Sequence, residues 1–281
     1  MKIVKLHLGY AGYCLAKEND AIAGGKKRKI KFQALWGLIL HPTKGYILFD
    51  TGYTERFYKA TKNYPNKLYA DITKVKIKKE ETIKFQLEAA GFSTEDIAYV
   101  FISHFHADHV GGLKDFPSAQ IITSRVAWDY AKTLPRFRAF SRGVLLDLIP
   151  SDLDERIVFI EDLQMNSDPI FNRVFDVFGD ESILVYELPG HARGQTGIKI
   201  ATENATYFLI ADACWLKASY EHYILPNPIV RLFFDSWSDF KTSLKNVHLF
   251  HKQFPKTKIV PTHCSESTDP LVSNQINLNV L

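Results

Sequence analysis

The sequence predicts an α/β fold, an αββα sandwich: two mixed β-sheets packed face to face with helices outside. Three observations predict it. Short apolar runs bounded by turn residues fall into two groups along the chain, and each group is followed by segments of helical periodicity. The chain has 281 residues, 46% of them hydrophobic and 13% aromatic, enough for a large buried core. No internal repeat or low-complexity tract divides it, so residues 1–281 are read as a single domain.

The elements follow in order. Lys2 and Lys5 precede an apolar stretch faintly like a signal peptide, but His7 and repeated Gly and Tyr interrupt it, so the start reads as a first strand. The basic run Gly24–Lys29 reads as a solvated loop. Ala34–Leu40 and Tyr46–Phe49 flank His41-Pro42-Thr43-Lys44-Gly45 as a hairpin. Glu80–Ala90 is an amphipathic helix with Ile83, Leu87 and Ala90 on one face and Gly91 as its stop. Ser93-Thr94-Glu95-Asp96 caps a short turn that leads into the strand Ala98–Ile102. Further strands fall at Gln120–Thr123, Ile183–Leu188, Gly197–Ala201, Thr206–Ala211 and Lys258–Pro261. Ser236-Trp237-Ser238-Asp239 caps a helix running to about Phe254, with Phe240, Leu244 and Val247 at helical spacing. Between them, Trp215–Trp237 is apolar and broken by Pro226 and Pro228, which reads as an irregular insertion rather than a regular helix.

Bulk properties exclude several classes. A net charge of +4 is too mild for a nucleic-acid binder. No apolar run reaches the ~18 residues of a membrane span. Cys14, Cys214 and Cys264 form an odd, sparse set without paired spacing, so no disulfide framework is expected and a cytoplasmic setting is the natural reading.

Ser103-His104-Phe105-His106-Ala107-Asp108-His109-Val110-Gly111-Gly112 carries the strongest chemical signal. Three imidazoles and a carboxylate lie within six residues directly after an apolar strand. These are donors that suit zinc and other borderline divalent ions. Such a loop can feed two neighbouring metal positions. A chance gathering of packed histidines is the bland alternative, and buried Asp without a partner is rare. The remaining histidines lack that company. His7, His41 and His222 read as packed or exposed, and His248 and His251 as positions on the face of a helix.

The run resembles the HxHxDH signature of the metallo-β-lactamase superfamily, and later matches arrive in the family's order. Asp50 in Asp50-Thr51-Gly52 matches its structural carboxylate behind the metals. His191, in Leu188-Pro189-Gly190-His191, matches the next ligand, Asp212 the carboxylate that bridges the metals, and His263 the last ligand. The resemblance implies the metallo-β-lactamase fold and two divalent ions, zinc first and iron or manganese as alternatives. One ion would sit on His104, His106 and His191, the other on Asp108, His109 and His263, with Asp212 and a water or hydroxide between them. It also implies hydrolysis by attack of that hydroxide on an ester-type carbonyl, with Asp108 as the catalytic residue that orients the nucleophile and handles its proton.

Within the superfamily the chain most resembles the N-acyl homoserine lactonase-like branch, which opens lactone rings, including quorum-sensing signals. That branch places a tyrosine three residues after the bridging Asp to bind the substrate carbonyl. Here the position is Trp215, whose indole offers one N–H and no hydroxyl. Trp215, Tyr220 and Tyr223 are the candidate substrate-binding residues. The apolar Trp215–Trp237 segment reads as the wall of a pocket for an acyl or aromatic group of a small-molecule substrate, or else as a homodimer contact or ordinary core. The rival readings are a thioester or phosphoester hydrolase of the same superfamily and a non-catalytic, metal-containing signal sensor.

Overall fold

The computed structural model describes residues 2–273 and 275–276. The first sheet contains β1 (Lys5–Lys17), β2 (Lys29–His41), β3 (Gly45–Phe49), β4 (Lys74–Lys76), β5 (Ile97–Phe101), β6 (Gln120–Thr123) and β7 (Ile157–Phe159), in spatial order β4-β1-β2-β3-β5-β6-β7. The second contains β8 (Gln164–Asp168), β9 (Asn172–Asp176), β10 (Ile183–Glu187), β11 (Thr196–Ala201), β12 (Thr206–Ala211) and β13 (Lys258–Pro261), in order β13-β12-β11-β10-β9-β8. Both sheets are mixed. Parallel pairings join β3 to β5, β5 to β6, β6 to β7, and β12 to β13, and the other pairings are antiparallel.

The period-2 alternation of strands sorts side chains into layers. Ile47 and Phe49 of β3 face the second sheet, joining Leu35, Phe101, Val185, Ile198 and Leu209 in the central core. Leu48, between them, points the other way and packs with Trp36, Val100, Leu87 and Trp128 beneath the helices of the first sheet. Phe208 and Ile210 of β12 meet Phe240, Leu244, Val247 and Phe250 of the helix Trp237–Gln253 on the outer face of the second sheet. Each of those four helical side chains, fully buried, contributes about 1.5–3 kcal/mol. The two-sheet sandwich with helices outside is therefore the observed architecture.

Most expected elements agree with the observed ones to within a residue or two, and Ser236 caps its helix by accepting the Asp239 N–H at 3.2 Å. Two differ. Glu80–Ala90 is broken at Thr82, which is extended, leaving a 3₁₀ turn at Lys79–Glu81 and an α-helix at Ile83–Ala89. The Trp215–Trp237 segment holds more regular structure than expected: an α-helix at Lys217–His222 and a 3₁₀ helix at Pro228–Phe233. The second starts where the Asn227 side chain accepts the Ile229 N–H at 3.1 Å, with Pro228 at its first position.

Strand direction positions the site. β3 and β5 run parallel, so Asp50 and the His104–His109 run leave the first sheet at the same end. β12 and β13 run parallel too, delivering Asp212 and His263 together. The Thr196 N–H donates to the Ser103 carbonyl at 3.0 Å and ties the second sheet to the first at that point.

Candidate metal centre

Asp50 organises the floor of the site. It follows β3 in a left-handed conformation (φ 54°), which Asp tolerates better than most residues. Its Oδ1 accepts the Ser103 N–H at 2.8 Å, and its Oδ2 accepts the Ser103 hydroxyl at 2.8 Å. His109 Nδ1 lies 2.6 Å from the same Oδ2. Burial works against a charged His109, but Asp50, Asp108 and Asp212 outweigh it and raise the ring to about 10. The Nδ1 proton therefore stays on the ring, and Nε2 is turned toward the cluster. Carboxylate–histidine pairs of this kind fix ring orientation behind metal ligands.

The other imidazoles are aimed by separate elements. His263 Nδ1 donates to the Gln33 carbonyl at 2.7 Å, and the ring stacks on Phe32 at 4.7 Å with planes 8° apart. His106 hydrogen-bonds the Arg142 backbone, and Gly143 lies so close to it that a Cβ there would come within 2.6 Å of the ring. His191 follows Gly190 (φ 126°), whose missing Cβ lets the loop press against the helix at Phe240; a Cβ would fall 2.0 Å from the Phe240 nitrogen. The Asp235 and Ser236 N–H groups donate to the His191 and Gly190 carbonyls at 3.2 and 3.0 Å, which seals that junction.

The donor atoms converge. His104, His106 and His191 offer ligand atoms within 4.8 Å of one another, as do Asp108, His109 and His263, and His104, His109 and Asp212. Asp212 Oδ2 stands between the first two groups, 3.3 Å from His191 Nε2 and 3.0 Å from His263 Nε2. His263 Nε2 is also 3.4 Å from Asp108 Oδ2. Burial, reinforced by neighbouring imidazoles, drives His104 well below its ordinary range, and burial takes His106 down to about 4, so both present neutral lone pairs. Burial alone would raise Asp212, but His263, His191 and His109 hold it well below the usual carboxylate range.

These residues fit a pair of divalent ions on the strength of their own unmet valences. His104 Nε2, His109 Nε2 and Asp212 Oδ1 are buried and have no hydrogen-bond partner. A buried polar atom left so costs about 1–3 kcal/mol. Three in one cluster of imidazole and carboxylate, with His109 giving up its Nε2 proton on binding, is what a cation site presents before its cation.

The substrate-side candidates divide. Trp215 lies at the cluster: its Nε1–H donates to Asp212 Oδ2 at 3.2 Å and its ring meets His191 edge-on at 5.6 Å. Tyr220 and Tyr223 lie away from it. Tyr220 is buried among the apolar side chains of the outer layer, its ring against His251 of the long helix, and Tyr223 turns its hydroxyl to the Lys241 carbonyl at 3.4 Å. The short helix Lys217–His222 carries both onto the Trp237–Gln253 helix instead of into the site. Cys214 and Cys264 are buried, and Cys264 Sγ accepts the Lys217 N–H at 3.1 Å, so both pack rather than join the donors. His248 likewise packs, its Nδ1 2.7 Å from the Tyr220 carbonyl.

Sequence reasoning missed Phe32, Gln33 and Phe234, the last lying edge-on to His191 at 5.2 Å. It also missed Tyr53 beside Asp108. Burial pushes its phenol well up, and the nearby Asp108 and Cys14 add to the effect. A recess lined by Phe105, His106, Tyr130, Arg142, His191 and Phe233 opens next to the cluster. Arg142 donates to the Phe234 carbonyl at 2.7 Å and pins the two walls together.

With this geometry in place, comparison with known proteins is informative. N-acyl homoserine lactonase AttM of Rhizobium radiobacter is 30% identical over 142 residues, 50% of each chain, so the aligned stretch spans about half the length of that relative. N-acyl homoserine lactonase AiiA of Bacillus thuringiensis subsp. kurstaki is 25% identical over 225 residues, 79% of this chain and 80% of that one. The solved structure of a single-substitution mutant of B. thuringiensis AiiA, with N-decanoyl-L-homoserine bound at the active site, superposes with a TM-score of 0.74 at 21% identity, covering 96% of this chain and 97% of that one. AidC, a dizinc quorum-quenching lactonase, gives a TM-score of 0.62 at 18% identity over 94% and 89%. At such identities the structural likenesses speak for the fold. Residues 31–223, more than half of the chain, match the family model of the metallo-β-lactamase superfamily, and the chain belongs to that superfamily.

Proposed function

We propose that the chain is a dinuclear-metal-dependent hydrolase that opens lactones, with an N-acyl homoserine lactone as the leading substrate class. The observation that carries the reading is the convergence of seven side chains, with His104 Nε2, His109 Nε2 and Asp212 Oδ1 buried and unpartnered inside the cluster. His104, His106 and His191 would hold one ion, and Asp108, His109 and His263 the other, with Asp212 between them. Zinc is the first expectation, with iron and manganese as alternatives. Bound there, two divalent ions would lower the pKa of water from ~15.7 towards ~7 and polarise the carbonyl. Asp108, whose Oδ2 lies 3.4 Å from His263 Nε2, orients the attacking water, takes its proton and returns it to the leaving oxygen of the opened ring.

The recess beside His106 and His191 marks the side of the cluster on which the apolar group of such a substrate would enter. Phe233 on its lining is 51% exposed, as the mouth of an acyl-binding groove would be. The named activities of AttM and AiiA point the same way. A second reading, hydrolysis of thioesters or phosphoesters, draws on Trp215, whose only N–H is given to Asp212 and which has no hydroxyl for a lactone carbonyl.

The test pairs elemental analysis with turnover on lactones, thioesters and phosphoesters, with and without chelator. About two ions per chain and chelator-sensitive lactone opening is the expected result. Two ions with turnover on another ester class alone would retire the lactonase reading. Asp108→Ala is expected to abolish turnover; full activity at full metal content would remove Asp108 from the chemistry.

A further inference from the structure

Asp212 Oδ2 is the atom common to both halves of the centre, 3.3 Å from His191 Nε2 and 3.0 Å from His263 Nε2. The Trp215 indole N–H donates to that same oxygen at 3.2 Å. The ring that carries this N–H is held by the residues that aim the imidazoles. It meets His191 at 5.6 Å and 83°, Phe32 at 5.5 Å, and Phe234 at 5.3 Å. Phe32 in turn stacks on His263, and Phe234 lies edge-on to His191. An indole has one donor and no acceptor, so an N–H given to Asp212 is not available to a substrate.

We infer that Trp215 is a positioning residue for the Asp212 carboxylate, setting its rotamer between the two halves of the centre, and is not the donor to the substrate carbonyl. The inference rests on the two-ion reading above. Its physical content is a charge-assisted hydrogen bond in a buried site. Without it Asp212 Oδ2 keeps only the imidazoles it faces, His263 Nε2 at 3.0 Å and His191 Nε2 at 3.3 Å, and loses the donor that is fixed independently of the ligand set. The aromatic frame supports the ring, while the N–H is the part of it that reaches the carboxylate. Loss of the donor and loss of the bulk are therefore separable by substitution.

The experiment uses the full-length zinc-loaded protein and follows zinc loss to a chromophoric chelator, with kcat and KM on whichever ester the protein turns over. Trp215→Phe keeps an aromatic ring in the frame and removes the N–H. It is expected to give up one zinc about ten- to hundredfold more readily than the parent. Trp215→His places Nε2 at the same position of a five-membered ring and is expected to recover parental zinc retention. Trp215→Phe holding both ions as the parent does, with only kcat or KM changed, would overturn the inference and give the N–H to the substrate. Equal losses in both variants would overturn it in favour of ring packing. Should Trp215→Phe not fold, Trp215→His decides alone: parental zinc retention supports the inference, and a tenfold loss overturns it. A parent that binds fewer than two zincs brings down the two-ion reading itself, and this inference with it.

Discussion

β3 begins beside one buried histidine and ends at another's carboxylate, and the two ends treat the same chemistry differently. His41, at the hairpin before β3, closes every valence within the protein. Its Nε2 lies 3.0 Å from the Ser182 hydroxyl and 3.2 Å from Asp180, and its Nδ1 accepts the N–H groups of Thr43 and Lys44 at 3.1 and 3.0 Å. His109, against Asp50 at the other end, uses Nδ1 alone and leaves Nε2 buried without a partner. Residue type is the same in both places: an imidazole and an aspartate. What separates a structural histidine from a ligand is the count of unmet valences around it, because a buried open valence is costly unless something else completes it.

The largest expected effect is on stability when metal is removed. An ion present at about a thousandfold over its dissociation constant stabilises the folded state by about 4 kcal/mol. For a chain of this size that corresponds to a melting point roughly ten degrees higher, at about 2–4 °C per kcal/mol. Calorimetry on chelator-treated protein before and after zinc is added back measures it. The His41 end should be indifferent to zinc, so His41→Ala should lower both curves by the same amount. A melting point that zinc leaves unmoved would erase the contrast between the two ends.

Smaller, and more local, is the effect of neutralising each carboxylate. Asn at position 50 offers an amide where Oδ2 now receives His109 Nδ1, so the ring must present Nδ1 as acceptor and carry its proton on Nε2. A protonated Nε2 facing the cluster is a donor, not a ligand. Asp50→Asn should therefore weaken the ion at Asp108, His109 and His263 by about ten- to hundredfold, leaving near one ion per chain under mild chelation. Asp180→Asn should leave both ions in place. Metal analysis of the two variants side by side decides it, and equal metal content in both would count against Asp50 as the residue that aims His109.

The same contrast explains what the sequence revealed and what it hid. The His104–His109 run was legible because its donors are contiguous and follow an apolar strand, and the structure gathers them with Asp50, His191, Asp212 and His263, each at the end of an apolar run. β3 and β5 were legible because they are buried on both faces and read as continuous apolar segments. β8, Gln-Met-Asn-Ser-Asp at a sheet edge, is almost wholly exposed and gave no such signal. Nothing local marks the carbonyl of Gln33 as the partner of His263, 230 positions away, or Gly143 as the residue that lets the chain close over His106. Tyr220 and Tyr223 are close to Asp212 in sequence, but the helix at Lys217–His222 turns both toward the outer layer.

The smallest effect sharpens the comparison at its quiet end. Burial works against the Asp180 carboxylate, but the Ser182 hydroxyl and backbone N–H, Lys2 and His41 together hold it at about 2, below its ordinary 3.8. A carboxyl depressed in the folded state stabilises the fold fully above its unfolded pKa, and that contribution fades as pH falls from 3.8 through about 2. Parent and Asp180→Asn, both metal-free, should therefore differ by no more than about 1 kcal/mol near neutrality and converge towards pH 2. Urea midpoints across that range measure the difference, in which every other titrating carboxylate is shared and cancels. A difference that stays constant with pH would mean that His41 and Asp180 are held by packing and neutral hydrogen bonds alone. The two ends of β3 would then differ in kind of interaction as well as in open valence.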